Sequence, residues 1–327
     1  MTEKTVKEKR SFAEIFSKYG AIMILACCLI VGTVVAPNFM TPSNLLSIAK
    51  NVAVYAIIAI GMTRLLIGGG VDLSAGSNVA LTAVVCALVC AKSGSTALAI
   101  LAAVLVGGIV GVINGYFTAY IGLMPFIVTL ATQMSVRGIA YLAAGGSPVY
   151  GVSNPIVWMG QGNLFGIPML LIIVILAAAA FVFVQNRTSH GRYLYAIGGN
   201  AEAANAAGIN VKFHLFINYV IMGAIAGLAG VLYAGRTNSG LPAGGVNFEF
   251  EAIIGSVLGG TSMAGGVGNI AMSIVGIYIV GIINNVMNLL SLNSFWQQVV
   301  KGIVILIAVL LDIFTRNAIM RSTSKQG

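Results

Sequence analysis

Charge is what this sequence has least of. Aspartate, glutamate, lysine and arginine together make 8% of 327 residues, where a soluble domain carries about a quarter. With 58% hydrophobic residues and a mean hydropathy of +0.99, a water-soluble globule is excluded. Cysteine is scarce too: Cys27, Cys28, Cys86 and Cys90 all lie within apolar runs. Neither a disulfide framework nor a zinc site is indicated, and these thiols are expected to pack. Histidine is rarer still, and His190 and His214 stand apart, in or beside the one long polar stretch, as interfacial rather than catalytic groups. No GxxxxGK[ST] phosphate loop, GxSxG elbow or HExxH helix occurs. ATP binding by that device and the two hydrolytic chemistries are therefore excluded, no cofactor or metal is expected, and any energy source must come from another chain. The net charge of +9 does not suggest nucleic acid, because the basic residues gather at the termini and in one loop, as the positive-inside rule requires.

What is present is a series of apolar runs. A membrane-spanning helix needs about 20 residues, and ten stretches reach or approach that length: 19–36, 45–67, 75–91, 96–121, 123–143, 166–185, 213–235, 248–264, 266–290 and 298–316. The expected fold is an all-α polytopic membrane protein of about ten transmembrane helices, some broken. The basic leader with Lys4, Lys7, Lys9, Arg10 and Lys18 is long, contains Glu3, Glu8 and Glu14, and lacks a small-x-small cleavage site. It reads as a retained cytoplasmic segment, 1–18, and not as a secretion signal. An even number of spans returns the C-terminus to the same side, where Arg316, Arg321 and Lys325 agree with it. The division is then a cytoplasmic segment 1–18, a transmembrane domain 19–316 and a cytoplasmic tail 317–327. The loops 144–167 and 291–298 carry no charge and lie outside.

Asn186 to Lys212 is the longest polar interruption and is placed in the cytoplasm. Within it Gly198, Gly199 and Asn200 stop what precedes, Asn200 suits an N-cap, AEAANAA favours helix and Gly208 suits the C′ position. A helix over 201–207, roughly 10 Å long, follows. Glu202 complements its positive end, while Ala203, Ala204, Ala206 and Ala207 leave little side-chain bulk. Such a helix is marginal alone in water. An ordinary capped loop and a docking peg for a partner's groove both fit these residues.

The 41 glycines suit close helix contact in lipid. Two segments, 68–77 and 259–269, are too glycine-rich for plain helix. They share a Gly-Gly pair, a small or polar patch and a resuming apolar helix, and interruptions at matching places point to an internal inverted repeat with a polar site at its interface. Glycine-rich turns also look alike without any repeat. Freed backbone groups cannot face lipid, so both segments are buried or line a cavity. Asp72 either caps the next helix with Ser74 and Gly76 or lines a path. Arg137, inside the fifth span, is either a carbonyl clamp or ion pair between helices or a contact to a sugar hydroxyl or a partner. Asn114, Thr129, Thr132, Gln133, Asn284, Asn285, Asn288, Gln297 and Gln298 add amides and hydroxyls. They suit an uncharged, hydroxyl-rich solute, and interhelical hydrogen bonding is the competing role of each. The candidate translocation path comprises Asp72, Ser74, Asn114, Thr132, Arg137, Asn284, Asn285 and Asn288. The spans offer few other carboxylates beyond Asp72 and Asp312, which disfavours an ion-coupled transporter.

Several ordered motifs carry a resemblance over nearly the whole chain: GGVDLSAGS at 69–77, MPFIVTLATQMSVRGIAYL at 124–142, GRYLYAIGGNAEAANAAGI at 191–209, GGTSMAGGVGNI at 259–270, and GIINNVMNLL with QQVVKGIVILIAVLLD within 281–312. With these the chain resembles the ribose-type sugar permeases of bacterial ATP-binding-cassette importers. Glu202-Ala203-Ala204 with Gly208 also looks like the EAA-type coupling element of importer permeases. The resemblance implies a multi-pass protein of the bacterial plasma membrane with both termini cytoplasmic. It implies a second copy or a homologous permease beside it, a sugar-binding protein outside and an ATP-binding-cassette ATPase inside. By the same likeness Gly199, Asn200, Glu202, Ala203, Ala204 and Gly208 belong to a coupling helix seated in the ATPase. Permeases for branched-chain amino acids are the alternative of similar plan.

Overall fold

The computed structural model describes residues 12–323; the leader's Lys4, Lys7, Lys9 and Arg10 and the tail's Lys325 lie outside that range. Thirteen α-helices follow in order: α1 (Phe12–Val35), α2 (Pro42–Ile67), α3 (Ala75–Ser93), α4 (Thr96–Gly115), α5 (Pro125–Ala143), α6 (Asn154–Gln161), α7 (Met169–Arg187), α8 (Ser189–Gly199), α9 (Ala201–Ala206), α10 (Val211–Thr237), α11 (Phe248–Leu258), α12 (Ile270–Leu289) and α13 (Ser294–Thr323). A π-helical turn, Tyr116–Ile121, extends α4, and the two-residue strands β1 (Asn163–Leu164) and β2 (Ile167–Pro168) pair as a small antiparallel hairpin. Seven helices among the described residues are long and apolar enough to cross a membrane. Shorter apolar stretches, Gly20–Val35 and Ser294–Ile307, lie in α1 and α13. The all-α polytopic class is as expected.

The centre is α2, buried almost continuously from Val52 to Ile67, with α3 and α10 beside it. Apolar side chains alone do not drive helices together in lipid, so close backbone approach does the work. Along α4 and α10 a Cβ at Gly107 would lie 2.4 Å from the Gly223 carbonyl oxygen, and one at Gly111 would lie 2.3 Å from that of Tyr219. Any side chain there would drive the two helices apart.

Two expectations are corrected. The eighth span, 248–264, is not a full helix: α11 has 11 residues and ends at Leu258. The other part of that crossing is irregular, because Gly240 packs against Ala83 and Val84 while Gly245 packs against Gly76 and Val79, so residues 240–245 run down the flank of α3. Tyr55 and Tyr233 meet Phe248 edge-on, with ring centroids 4.8 and 5.6 Å away, and hold the start of α11 in place. The polar stretch 186–212 holds not one helix but two, since Thr188 caps α8 by accepting from the Gly191 N–H at 3.2 Å. The uncharged loop 144–167 is ordered too, by α6 and the hairpin.

The two glycine segments share one local device. After α2, the Gly69 N–H donates to Leu66 O and the Gly70 N–H to Leu65 O; after α11, Gly260 donates to Val257 O and Thr261 to Ser256 O. Both are Schellman caps, with Gly69 at φ +80° and Gly260 at φ +83°. They lie side by side at one end of the bundle, where Thr63 Oγ1 and Ser256 Oγ are 3.0 Å apart. What the segments share is therefore a cap, and nothing in it requires inverted halves.

Candidate functional site

The helices of the polar stretch 186–212 are built from caps. Asn200 accepts from the Ala203 N–H at 2.9 Å, so α9 begins one residue after α8 ends. At its far end Gly208, at φ +83°, donates to Asn205 O and Ile209 donates to Ala204 O, closing a third Schellman cap. Asn210 then caps α10 by accepting from Phe213 N. Ala204 is buried and the other five residues of α9 are exposed. The result is a short, small-faced knob standing on α8.

Next to the knob, α8 rests on the two glycine turns. The Gly266 N–H donates to Ile67 O at 2.9 Å, and Tyr195 Oη donates to Gly268 O at 2.9 Å. A Cβ on Gly198 would lie 1.8 Å from Ile67 O, so the last turn of α8 touches backbone directly. Deeper in, Arg64 of α2 is fully buried; its Nη1 donates to Gln185 Oε1 at 2.8 Å and its guanidinium lies 5.6 Å from the Phe181 ring centroid. Gln185 Nε2 in turn donates to Gly191 O of α8, and Asn218 Nδ2 of α10 donates to Arg64 O. Arg64 thus ties α2, α7, α8 and α10 into one block beneath the knob. Sequence reasoning passed over it because one arginine barely lowers the hydropathy of a 26-residue run.

The two histidines, read as isolated, are in contact: His190 Nδ1 and His214 Nδ1 are 2.8 Å apart. One ring must donate and the other accept, so both cannot be charged. Burial, the nearby Arg64 charge and His214 push His190 down to about 4, which keeps it neutral at physiological pH.

The proposed path residues fall into separate groups and do not form one lining. Asp72, Ser74 and Asn114 meet in a fully buried cluster. Asp72 Oδ1 accepts from the Ser74 N–H at 2.8 Å, from Ser74 Oγ and from Asn114 Nδ2 at 3.3 Å, and Asn114 also donates to Ser74 Oγ at 2.8 Å. This cluster secures the turn into α3. Replacing Asp72 with leucine strands those donors, each at about 1–3 kcal/mol. We expect Asp72→Leu to lower thermal stability in detergent sharply, while Asp72→Asn, which keeps an acceptor, stays near wild type. Equal melting of the two variants would refute the clamp.

Arg137 Nη1 donates to Pro242 O at 2.8 Å and to Gly244 O, which makes it the carbonyl clamp of the irregular segment. Such backbone is tolerated at membrane depth when its polar groups are satisfied by protein. Above it a cavity of about 200 Å³ opens between Tyr141, Pro148, Tyr233, Leu241 and Pro242. Thr132 donates to Val128 O of its own helix. Asn285 and Asn44 exchange two amide hydrogen bonds of 2.8 and 2.9 Å, which join α12 to α2, and Asn288 accepts from Gln297 Nε2. Asn284 alone of that trio reaches a charged group, donating to Glu251 Oε1 at 3.4 Å.

Glu249 and Glu251 are the carboxylates that sequence reasoning missed. They occupy the first turn of α11 and are 2% and 5% exposed. Glu249 Oε1 accepts from Gln133 Nε2 at 2.8 Å; Glu251 Oε1 lies 2.6 Å from Lys301 Nζ of α13. Both sat inside a window whose average was apolar, and the signal that marks them is the Gly- and Pro-rich SGLPAGG just before, which breaks the crossing at their depth.

A helical bundle with a broken crossing and buried ionisable groups at the break defines a polytopic membrane transport protein. The family described as branched-chain amino acid transport system / permease component matches residues 44–309, and the chain belongs to it. It is 38% identical over 311 residues to the ribose import permease protein of Bacillus subtilis (strain 168), covering 94% of this chain and 97% of that one. It is 35% identical over 312 residues to the L-arabinose transport system permease protein of Escherichia coli (strain K12), covering 95% of each. The D-allose transport system permease protein of the same strain is 37% identical over 313 residues, with 95% and 96% covered. No solved structure matches the chain.

Proposed function

We propose that this chain is the membrane-spanning permease subunit of an ATP-driven importer, giving a monosaccharide delivered by an extracellular binding protein an alternating-access path. The observation that carries the reading is end-to-end similarity to permeases named for ribose, arabinose and allose. The architecture supports it: the eighth crossing is broken just before α11, as transporters break helices where solute passes, and among the described residues no charge cluster typical of an ion pathway lines the rest. Residues 199–208 are the coupling helix, held out from the bundle for an ATPase, and this places α8, α9 and both termini in the cytoplasm. Segment 1–18, domain 19–316 and tail 317–327 keep the roles given above, and the assembly includes a second permease, identical or homologous.

Glu249 and Glu251 do give an ion-coupled transporter the buried acids it needs, but Glu251 already has Lys301 as counter-ion. One experiment separates the two. In proteoliposomes holding this chain, a cognate ATPase and a sugar-binding protein, labelled ribose, arabinose or allose should accumulate only with ATP inside and all three proteins present. Accumulation driven by a proton or sodium gradient without the ATPase would replace this reading with the ion-coupled one.

A further inference from the structure

Among the buried acceptors without donors, two stand together beside an ammonium group. Glu251 Oε2 and Asn284 Oδ1 are buried and have no partner, and the two residues are already joined through Glu251 Oε1. Lys301, whose Nζ grips that same Oε1, is 32% exposed and has two further ammonium protons. Buried polar atoms are nearly always satisfied, so each orphan calls for a missing group. Here the missing group is a donor of protons, twice, beside a cation that seeks acceptors. A bare cation would satisfy only the two oxygens and a bare anion only the ammonium, so each fits one half of this pattern. A vicinal diol fits both, because each hydroxyl donates once and accepts as well.

We infer that Glu251, Asn284 and Lys301 form a binding station for the monosaccharide, in which two neighbouring sugar hydroxyls donate to Glu251 Oε2 and Asn284 Oδ1 while Lys301 donates to a sugar oxygen. This rests on the permease reading and gives it a location. The three residues come from α11, α12 and α13, so the station sits where three elements can separate and close again. It stands at the first turn of a helix that begins only after an irregular crossing, and such breaks are where transporters hold solute. The pair is also the one ion pair among the described residues. An ion pair inside a bundle is poor evidence of stabilisation, because apolar replacement of both partners is often neutral. Its presence is better explained by contact with the solute.

That same property supplies the test. The double variant Glu251→Gln with Lys301→Met removes both charges together, so no uncompensated charge is left buried. In the reconstituted transporter, uptake of whichever sugar the wild type imports should fall at least tenfold. ATP hydrolysis stimulated by the loaded binding protein should remain within twofold of wild type. A pair that merely braces the helices predicts wild-type uptake, and that result overturns the inference. Asn284→Ala, which leaves the pair intact, is the second variant. Wild type should carry the parent sugar at least tenfold faster than one of its monodeoxy forms, and Asn284→Ala should lose that preference. An unchanged preference counts against the station even if the double variant fails to assemble. Should wild type import no sugar with all partners present, the permease reading itself fails, which is a separate result from either of these.

Discussion

Valine at Gly198 is expected to abolish uptake and to lower the melting temperature, whereas alanine at its neighbour Gly199 should leave melting at the wild-type level. The Cβ that any substitution adds at 198 would stand 1.8 Å from Ile67 O and 2.5 Å from Gly266 N. Those two atoms are themselves hydrogen-bonded at 2.9 Å. Neither belongs to a side chain that can turn away, so accommodation means separating α8 from the end of α2 and breaking the bond that closes the 259–269 turn. Overpacking in a side-chain core costs typically about 1–3 kcal/mol; forcing backbone from backbone adds the lost hydrogen bond, about 1 kcal/mol more. At Gly199 an added Cβ meets nothing within 4 Å, and its φ is not positive. The measurement is uptake alongside monodispersity and melting of the purified protein. Normal uptake by Gly198→Val would mean that α8 is not seated on α2 in the working transporter.

The contrast between adjacent glycines also shows where a sequence stops being informative. The boundaries of α9 were legible to within a residue, because Asn200 and Gly208 act on backbone groups three residues away or fewer. The seat beneath Gly198 was not, because Ile67 and Gly266 are remote in sequence and the contact is defined by the absence of a side chain. The same applies to the asparagines of α12. Asn285 looked like a path residue until its partner Asn44, 241 positions away, appeared. Arg137, by contrast, announced itself: an arginine deep in an apolar run must find acceptors, and a carbonyl clamp was among the roles foreseen. Short helices escaped for a physical reason. The buried positions of α8 are Gly191, Leu194 and Ile197, three small contacts in eleven residues, too few for an amphipathic pattern to stand out from a polar loop. The eighth crossing misled in the opposite way, since hydropathy averages over a window and cannot see that residues 242–247 are a run of turns and not helix.

The coupling role of α9 yields the other large effect, because there the demands of folding and of partner contact fall on different residues. Glu202 is exposed and makes no hydrogen bond or ion pair among the described residues. Its intrachain contribution is the attraction of a carboxylate to a helix N-terminus, about 0.3–1 kcal/mol. Glu202→Lys should therefore insert and melt nearly as wild type does, yet lower ATP-driven uptake tenfold or more, because the reversed charge is carried on the surface offered to the ATPase. Gly208→Pro attacks the same element from inside. Proline holds φ near −65°, while Gly208 stands at +83° and donates its N–H to Asn205 O. The cap cannot form, α9 loses its last turn, and the entry into α10 shifts with it. Uptake should disappear in this variant while the membrane-embedded helices, apart from the first turn of α10, stay folded. The two variants differ in what they test: Gly208→Pro needs only that the shape of α9 matters, but Glu202→Lys needs a partner to touch that face. Full uptake with Glu202→Lys, measured beside unchanged co-purification of the ATPase, would leave the knob with no role in contact. The coupling reading of residues 199–208 would then be lost even if the rest of the permease reading stood.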